Sequence, residues 1–468
     1  MEDQRSADLE EGALPRKDAW SLWLHGTYYR STGVHFFLTH RIRPAGLALG
    51  MVFVLATCLA AGHRRPAIYQ LFSISMVMMA LGVPLAFFRR ARLKAVRQVP
   101  RHAAMGQPLR YFVNVTNIHR RSIARAWLLE NVPDPRPDRD DFIHMREPGE
   151  DDRNAFDRKF SWYRWQWLVL RKCLFDGGVS STEIRLKPGE SMRLMMEITP
   201  RRRGVIRLDQ LRLQLPDPMD LFQSFIRVQA PPATVTVLPR RYRLPPIELP
   251  GAAAFQLSGE SNTNAIGNSG EFTGLREYRP GDPMRQIHWK SWARMGRPIV
   301  KELEDTFYPR HGLVLDTLST HRHDAGFEEC VSVAASFAAS LDTGDTLLDL
   351  MFVNDRAHVV TAGRGVERAE KLLEVLAGVS PSRGGGGLDA LARLVQQHAA
   401  DLTSCVIILN GWDDAREEFL AKLRESRVVF TVLAIGHGPR PEGLPGIWMD
   451  AANIERALSH LPSRLPVA

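Results

Sequence analysis

At 468 residues the chain is long enough for about two or three domains, each burying its own core. With 44% hydrophobic and 24% charged residues it has the composition of a folded protein, which excludes disorder as an account of most of it. The net charge of +9 would suit nucleic acid, but much of the excess lies beside apolar segments, where positive-inside bias accounts for it, so nucleic acid is not the expected partner.

Residues 1–43 open on the acidic run MEDQRSADLEE, a poor start for a secretory signal, and continue into WSLWLHGTYYRSTGVHFFLTHRIR. That mixture of aromatics and positive charge suits either a membrane interface or packing on a soluble body. Pro44 to Gly62 and Pro66 to Phe88 then carry no charge, and each is long enough to cross a hydrocarbon core as a helix. The short turn from His63 to Pro66 forces the two spans of 44–88 into an antiparallel pair, with both chain ends on one side. Arg41 and Arg43 before the pair, and Arg89, Arg90, Arg92, Lys94 and Arg97 after it, outnumber Arg64 and Arg65 in the turn. The expected topology is two-pass in a bacterial cytoplasmic (inner) membrane, with both termini and the soluble domains cytoplasmic.

From 98 to 245 the sequence predicts an antiparallel β-sandwich. LRYFVNVTNIH alternates apolar and polar residues, and similar signals recur at STEIRLKP, SMRLMMEITP, GVIRLDQLRLQLPD and ATVTVLPR between Pro and Gly turns. Residues 133–178 interrupt this pattern and read as an insertion. Its aromatic-basic mix at Trp162, Tyr163, Arg164, Trp165 and Trp167 suits core filling or membrane contact better than base stacking. Residues 246–269, rich in Pro, Gly, Ser and Asn, read as a linker.

Beyond residue 306 strands alternate with helices: GLVLD, then a helical stretch, LLDLMFV with AHVVT as an edge partner, SCVIILN, a helix from about Asp413, and VVFTVLAIG. This rhythm predicts a mostly parallel sheet covered on both faces, with any ligand at the strand ends near Asp316 and Asn410. The four cysteines, Cys58, Cys173, Cys330 and Cys405, are too scattered for a zinc knuckle or a disulfide framework and read as small buried hydrophobes in a reducing compartment.

The densest motif is residues 270–305, GEFTGLREYRPGDPMRQIHWKSWARMGRPIVKELED. Pro280 and Gly281 suit the centre of a type II turn, Asp282 can cap a helix and Pro283 can open it. The helix would run to about Arg294, with Met284, Ile287 or His288, and Trp292 on one face, and stop before Gly296. Arg276, Arg279, Arg285, Lys290 and Arg294 crowd around Glu277 and Asp282. They form either a recognition surface for an acidic partner or an internal salt-bridge network.

This run resembles the signature of the bacterial domain-of-unknown-function family fifty-eight at Gly270, Phe272, Gly274, Leu275, Arg276, Tyr278, Gly281, Asp282, Arg285, Ile287, Trp289, Ala293 and Arg294. Upstream, RRRGVIRLDQLRLQLPDPMDLF is similar to the family's RRG and DP-x-G-L-F elements, with Asp220 where glycine is usual. The resemblance implies a von Willebrand factor type A-like C-terminal domain and association with a MoxR-type AAA ATPase. Type A domains often hold Mg²⁺ through D-x-S-x-S, a threonine and a later aspartate. Here the corresponding runs are Asp316-Thr317-Leu318-Ser319-Thr320 and Leu409-Asn410-Gly411, while Gly384 to Gly387 offers no threonine. Asp316, Thr320 and Asn410, with Asp413, are therefore degenerate candidates, and neither a working Mg²⁺ site nor any other cofactor is expected.

No GxxxxGK[ST], HExxH or GxSxG occurs. The expected function is a membrane-tethered, non-enzymatic adaptor for assembly or remodelling of protein complexes with a MoxR-type AAA ATPase. The alternatives are a metal-dependent hydrolase using Asp316, Asp282 and His288, and, with reversed topology, an envelope-facing adhesion module.

Overall fold

The computed structural model describes residues 16–62, 65–88, 90–130, 134–147, 149–249, 271–304, 310–319, 325–340, 347–354, 356–362, 366–382, 387–426 and 428–467. The chain forms two compact units, Met1–Leu238 and Pro239–Ala468. The boundary thus falls ahead of the expected linker at 246–269, most of which lies outside the described residues. Residues 239–249 go with the second unit because Tyr242 is anchored there: its amide donates to Ser336 Oγ at 2.8 Å and its hydroxyl to Glu329 at 2.6 Å.

The first unit opens with helices α1 (Arg16–Arg41), α2 (Pro44–Gly62) and α3 (Pro66–Phe87). α1 packs on the insertion rather than standing alone. Leu24 joins Phe142, Trp165 and Leu168 in a small core formed with α4 (Arg139–His144), α5 (Ala155–Phe160) and α6 (Trp162–Lys172). Trp165 is buried and its indole N–H reaches Thr32 Oγ1 at 3.1 Å, so this tryptophan fills a core, whereas Trp162 and Tyr163 are partly exposed. α2 and α3 lie side by side, with Phe53 stacked on Phe72 at 5.2 Å. Residues Pro66–Ala86 are long and apolar enough to cross a membrane, and only 11% of that window is buried, unlike a core helix. The apolar part of α2, Pro44–Ala60, is shorter. Cys58 is exposed on it rather than buried, and Cys173 is half-buried, whereas Cys330 and Cys405 are buried as expected.

The β strands follow: β1 (Leu93–Gln98), β2 (His102–Ala104), β3 (Leu109–Asn117), β4 (Ile123–Glu130), β5 (Phe175–Ser180), β6 (Ile184–Leu186), β7 (Ser191–Pro200), β8 (Gly204–Leu208), β9 (Leu211–Pro216), β10 (Gln223–Arg227) and β11 (Ala233–Leu238). They form a curled eight-stranded antiparallel sheet, in the order β1-β3-β7-β5-β4-β9-β10 with β6 beside β4, and a three-stranded sheet β2-β11-β8. The period of two in β3 is realised directly: Leu109, Tyr111, Val113 and Val115 point into one core shared by strands of both sheets. GVIRLDQLRLQLPD supplies two strands, β8 and β9, in different sheets. Inside this core Arg97 donates to Glu130 from Nε at 3.0 Å and Nη2 at 2.8 Å, and Tyr111 donates to the same carboxylate at 3.3 Å.

The second unit carries β12 (Glu271–Glu277), α7 (Trp289–Met295), β13 (Ile299–Glu304), β14 (Arg310–Leu315), α8 (Ala325–Ser340), β15 (Leu347–Val353), β16 (Ala357–Ala362), α9 (Val366–Gly378), α10 (Gly387–His398), β17 (Ser404–Asn410), α11 (Asp414–Arg424), β18 (Phe430–Gly436), β19 (Ile447–Asp450) and α12 (Ile454–Ser459). Its main sheet is mixed, in the order β16-β15-β14-β17-β18-β19, parallel except for β16 at one edge. Val314, Met351, Ile407 and Val432 pack with α10 and α11, and the alternate residues of these strands face the heavily buried α8. Successive strands run outward from β14 in one direction through β15 and β16 and in the other through β17. The strand order therefore reverses between β14 and β17, where open α/β sheets place a ligand crevice.

Candidate functional site

The signature segment is an arm built on a two-stranded antiparallel ribbon, β12 with β13, in which Glu277 faces Ile299. The chain leaves β12 through the turn Arg279–Asp282, closed by Asp282 N–H to Arg279 O at 3.0 Å. Gly281, at φ 109°, takes the positive-φ position that a type II turn reserves for glycine, as expected from Pro280-Gly281. The helix expected from Asp282 to Arg294 does not form as one piece. Met284–Gln286 make a 3₁₀ turn, Ile287 becomes extended and bridges Val300, and His288 N–H donates to Ile299 O at 2.8 Å before α7 begins. Burial of Ile287 with Ile299 and Val300 outweighs helical continuity there. Gly296, at φ 67°, ends α7 in the left-handed cap conformation.

Asp282 does not cap that helix. Its carboxylate receives the Arg276 guanidinium in a fork, at 2.7 and 2.8 Å, and the Arg279 amide at 2.8 Å. The Arg276 guanidinium and that amide hold Asp282 down to about 2. Arg297 pairs with Glu277. These contacts engage Asp282 and Glu277 within the arm. Arg279, Arg285, Lys290 and Arg294 make no ion pair among the described residues. In the same arm the apolar side chains Phe272, Leu275, Met284, Trp289 and Met295 are exposed, Met284 at 70% and Trp289 at 61%. Trp289 stacks on Trp292 at 5.2 Å and 17°. Tyr278 is tied to the ribbon through its amide, which donates to Pro298 O, and Gly274 sits at the irregularity in β12.

The crevice at the strand reversal is filled from within. Asp316, fully buried, follows β14; Oδ1 accepts Leu318 N–H at 2.8 Å, and Oδ2 accepts Asn410 N–H at 3.1 Å and Arg416 Nε–H at 2.8 Å. The same guanidinium donates to Asp413 at 2.6 Å and to Leu318 O at 3.2 Å, and the Asn410 side-chain amide donates to Leu318 O at 3.3 Å. Burial pushes Asp316 up, and Arg416 and the two backbone amides pull against it. Burial works against the Arg416 charge as well, but Asp316 and Asp413 raise it nonetheless. Asp316, Asn410 and Asp413 thus do come together, around the Arg416 guanidinium, with Asn410 donating to Asp316 and to Leu318 O. Thr320 and Gly384–Gly386 lie outside the described residues. His288 Nδ1 is within 2.7 Å of Ser291 Oγ and shares no hydrogen bond with Asp282 or Asp316. Among the described residues no group of three His, Cys, Asp or Glu is placed to hold a metal ion.

Residues 274–447 match the family described as "Protein of unknown function DUF58". The matched span begins within β12, takes in the arm from Arg276 to Arg294, and runs through the mixed sheet to β19. No curated protein matches the chain. Among solved structures, a CARDB domain from Pyrococcus furiosus in complex with di-metal ions is 13% identical over 32% of this chain and 96% of its own, with a TM-score of 0.16. A beta-glucosidase from Listeria innocua is 10% identical over 30% of this chain and 16% of its own, with a TM-score of 0.13. Likenesses this slight carry no inference about chemistry.

Two features of the site escape a reading by motif. Arg416 lies outside every signature position, yet it was visible as an arginine on the apolar stripe of α11, in line with Phe419, Leu420 and Leu423. Arg297 lies beyond the signature pattern, and the charge balance of the arm cannot be drawn without it.

Proposed function

We propose that this protein is a membrane-tethered, non-enzymatic adaptor whose signature arm docks a partner protein. The observation that carries the reading is the exposed Trp289, stacked on the half-buried Trp292, in a segment that also carries Arg279, Arg285, Lys290 and Arg294 and matches the DUF58 family. Tryptophan and arginine anchors are what protein interfaces concentrate, and the positive surround selects an acidic face on the partner. The family resemblance nominates a MoxR-type AAA ATPase for that role. The 3-2-1-4-5-6 strand order with an antiparallel edge strand agrees with a von Willebrand factor type A-like second unit. We read α2 and α3 as a two-pass anchor in a bacterial inner membrane, with both units cytoplasmic. A metal-dependent hydrolase is less well supported, because Arg416 already occupies Asp316 and nothing links Asp282 to His288.

The test is affinity purification of the full chain in mild detergent, comparing wild type with Trp289→Ala and with Arg285→Glu/Arg294→Glu. Wild type should recover an AAA ATPase. A central tryptophan contributes about 2 kcal/mol or more, so Trp289→Ala should lower recovery about 30-fold. Undiminished recovery by both variants would refute the arm as the docking surface, and absence of any AAA protein would refute the partner. Protease protection in sealed cells checks the orientation.

A further inference from the structure

The first unit contains a cavity of about 730 Å³ that the adaptor reading does not use, within the size range of small-ligand sites. It lies between the C-terminal half of α1, the segment before α4, and strands β4, β9 and β10. Its wall combines two kinds of surface. Phe36 and Phe225 contribute apolar area, and Arg30, Arg41, Arg136 and Arg212 contribute guanidinium groups. The one acid among the described residues of the wall, Asp134, is taken by Arg136 through Nε at 2.8 and 3.0 Å. Arg136 is further fixed by the Tyr29 ring, 3.8 Å away, and by Tyr29 O at 3.2 Å. It can lie across α1 because position 33 is glycine: a Cβ there would stand 2.8 Å from its Nη1. Arg30 and Arg212 make no ion pair among the described residues. Apolar walls carrying surplus positive charge match a ligand with a hydrocarbon part and an anionic head.

We propose that this cavity binds one anionic phospholipid drawn from the surrounding membrane. The proposal rests on the membrane-anchor reading above. Arg41, on the cavity wall, is the last residue of α1, and the chain enters the apolar α2 at Pro44. At that junction Ile42 bridges Phe222 and Arg43 N–H donates to Leu221 O at 2.9 Å, so the cavity wall is fastened to the start of the first apolar helix. A headgroup at this level meets the arginines while its acyl chains stay with the apolar surface.

The experiment reconstitutes the full chain in nanodiscs of phosphatidylcholine and phosphatidylglycerol in equal amounts with identical acyl chains, and reads retained lipid by native mass spectrometry. Wild type should retain one phosphatidylglycerol selectively. Arg30→Gln/Arg212→Gln should weaken that retention about 30-fold, from about 1 kcal/mol per guanidinium near an anionic headgroup. Arg30→Lys/Arg212→Lys should keep most of it, which separates lost charge from lost folding. Arg90→Gln/Arg92→Gln, cations after α3 and away from the cavity wall, should leave it intact. An equal loss in that control would mean diffuse surface attraction and overturn the proposal. Displacement of the lipid by inorganic phosphate would overturn the lipid as the source. Carbonate extraction is read in parallel. Insertion without selective retention overturns this proposal alone, whereas release of the wild-type chain overturns the membrane anchor and this proposal with it.

Discussion

The Asp316–Arg416 pair offers a direct test of whether the strand-end crevice is a structural device or a disguised metal site. Arg416→Met would leave Asp316 fully buried, with only the Leu318 and Asn410 amides to balance it, and would remove the guanidinium bonds to Asp413 and Leu318 O. Orphaning one member of a buried pair costs about 3–5 kcal/mol. For a unit of this size each kcal/mol moves the melting midpoint by about 2–4 °C, so the expected fall is roughly 6–20 °C. Asp316→Asn added to Arg416→Met should restore much of the loss, because no unpaired carboxylate remains. The assay is thermal unfolding of the full chain in mild detergent, with hydrogen exchange of β14 and β17 amides to assign the change to the second unit. The orphaned carboxylate would take up a proton more readily, so the deficit should shrink as pH falls. A fall below about 2 °C would refute the pair as a structural tie. Stabilisation of the wild type by millimolar Mg²⁺ would refute the view that Arg416 fills the cation's place.

Gly46→Ala should cost about 1–3 kcal/mol, since its Cβ would stand 2.3 Å from the Leu221 carbonyl oxygen; Gly82→Ala, facing the Phe222 ring at 2.9 Å, should cost less because a ring can swing. Limited proteolysis around Phe222 checks both. His311 is buried with its Nδ1 2.9 Å from Ser404 Oγ, and burial lowers its pKa. Its contribution to stability is therefore complete above the unfolded value of 6.5 and is lost as pH falls through the lower folded value; His311→Asn should flatten the melting profile of the second unit below about pH 6.5. Asp282 is held down to about 2, so its tie to Arg276 is complete above the unfolded value of 3.8 and lost as pH falls through about 2. Exchange of the Arg279 and Asp282 amides should accelerate only in that acidic window, and Arg276→Gln should move the onset upward.

The sequence was most informative where a period meets a solvent boundary. β3 alternates because one side of the curled sheet is core, and the runs of β14, β15, β17 and β18 are continuous because both faces of the mixed sheet are covered. The Pro280-Gly281 turn and the Gly296 stop were legible for a local reason, since positive φ strongly favours glycine. What was not legible depends on partners distant in the chain. The helix from Asp282 breaks because Ile287 finds Val300, and Asp282 is drawn from capping by Arg276 on the preceding strand. At the strand ends, an oxygen-rich run alone cannot tell a metal ligand from a carboxylate with its own arginine. The deciding residue lies a hundred positions away, as the separation of Asp316 and Arg416 shows.

Asp220 joins the two kinds of information. It stands where the resembling element has glycine, and the backbone there is in the left-handed region, at φ 61°, which accounts for that preference. An aspartate tolerates this conformation better than most side chains, and here its carboxylate lies 2.8 Å from Arg43 Nε and 3.3 Å from Arg125 Nη2. Asp217 closes the same turn, its buried carboxylate accepting Leu221 N–H at 2.7 Å. The turn then presents the Leu221 carbonyl to Gly46 on α2 and the Phe222 ring to Gly82 on α3. The backbone cost at Asp220 is thus coupled to an ion pair at the residue through which the chain enters its first apolar helix. The DPMDLF turn acts as the seat of the apolar helix pair on the β unit, a role that its residues take from their neighbours in space, Arg43, Gly46 and Gly82.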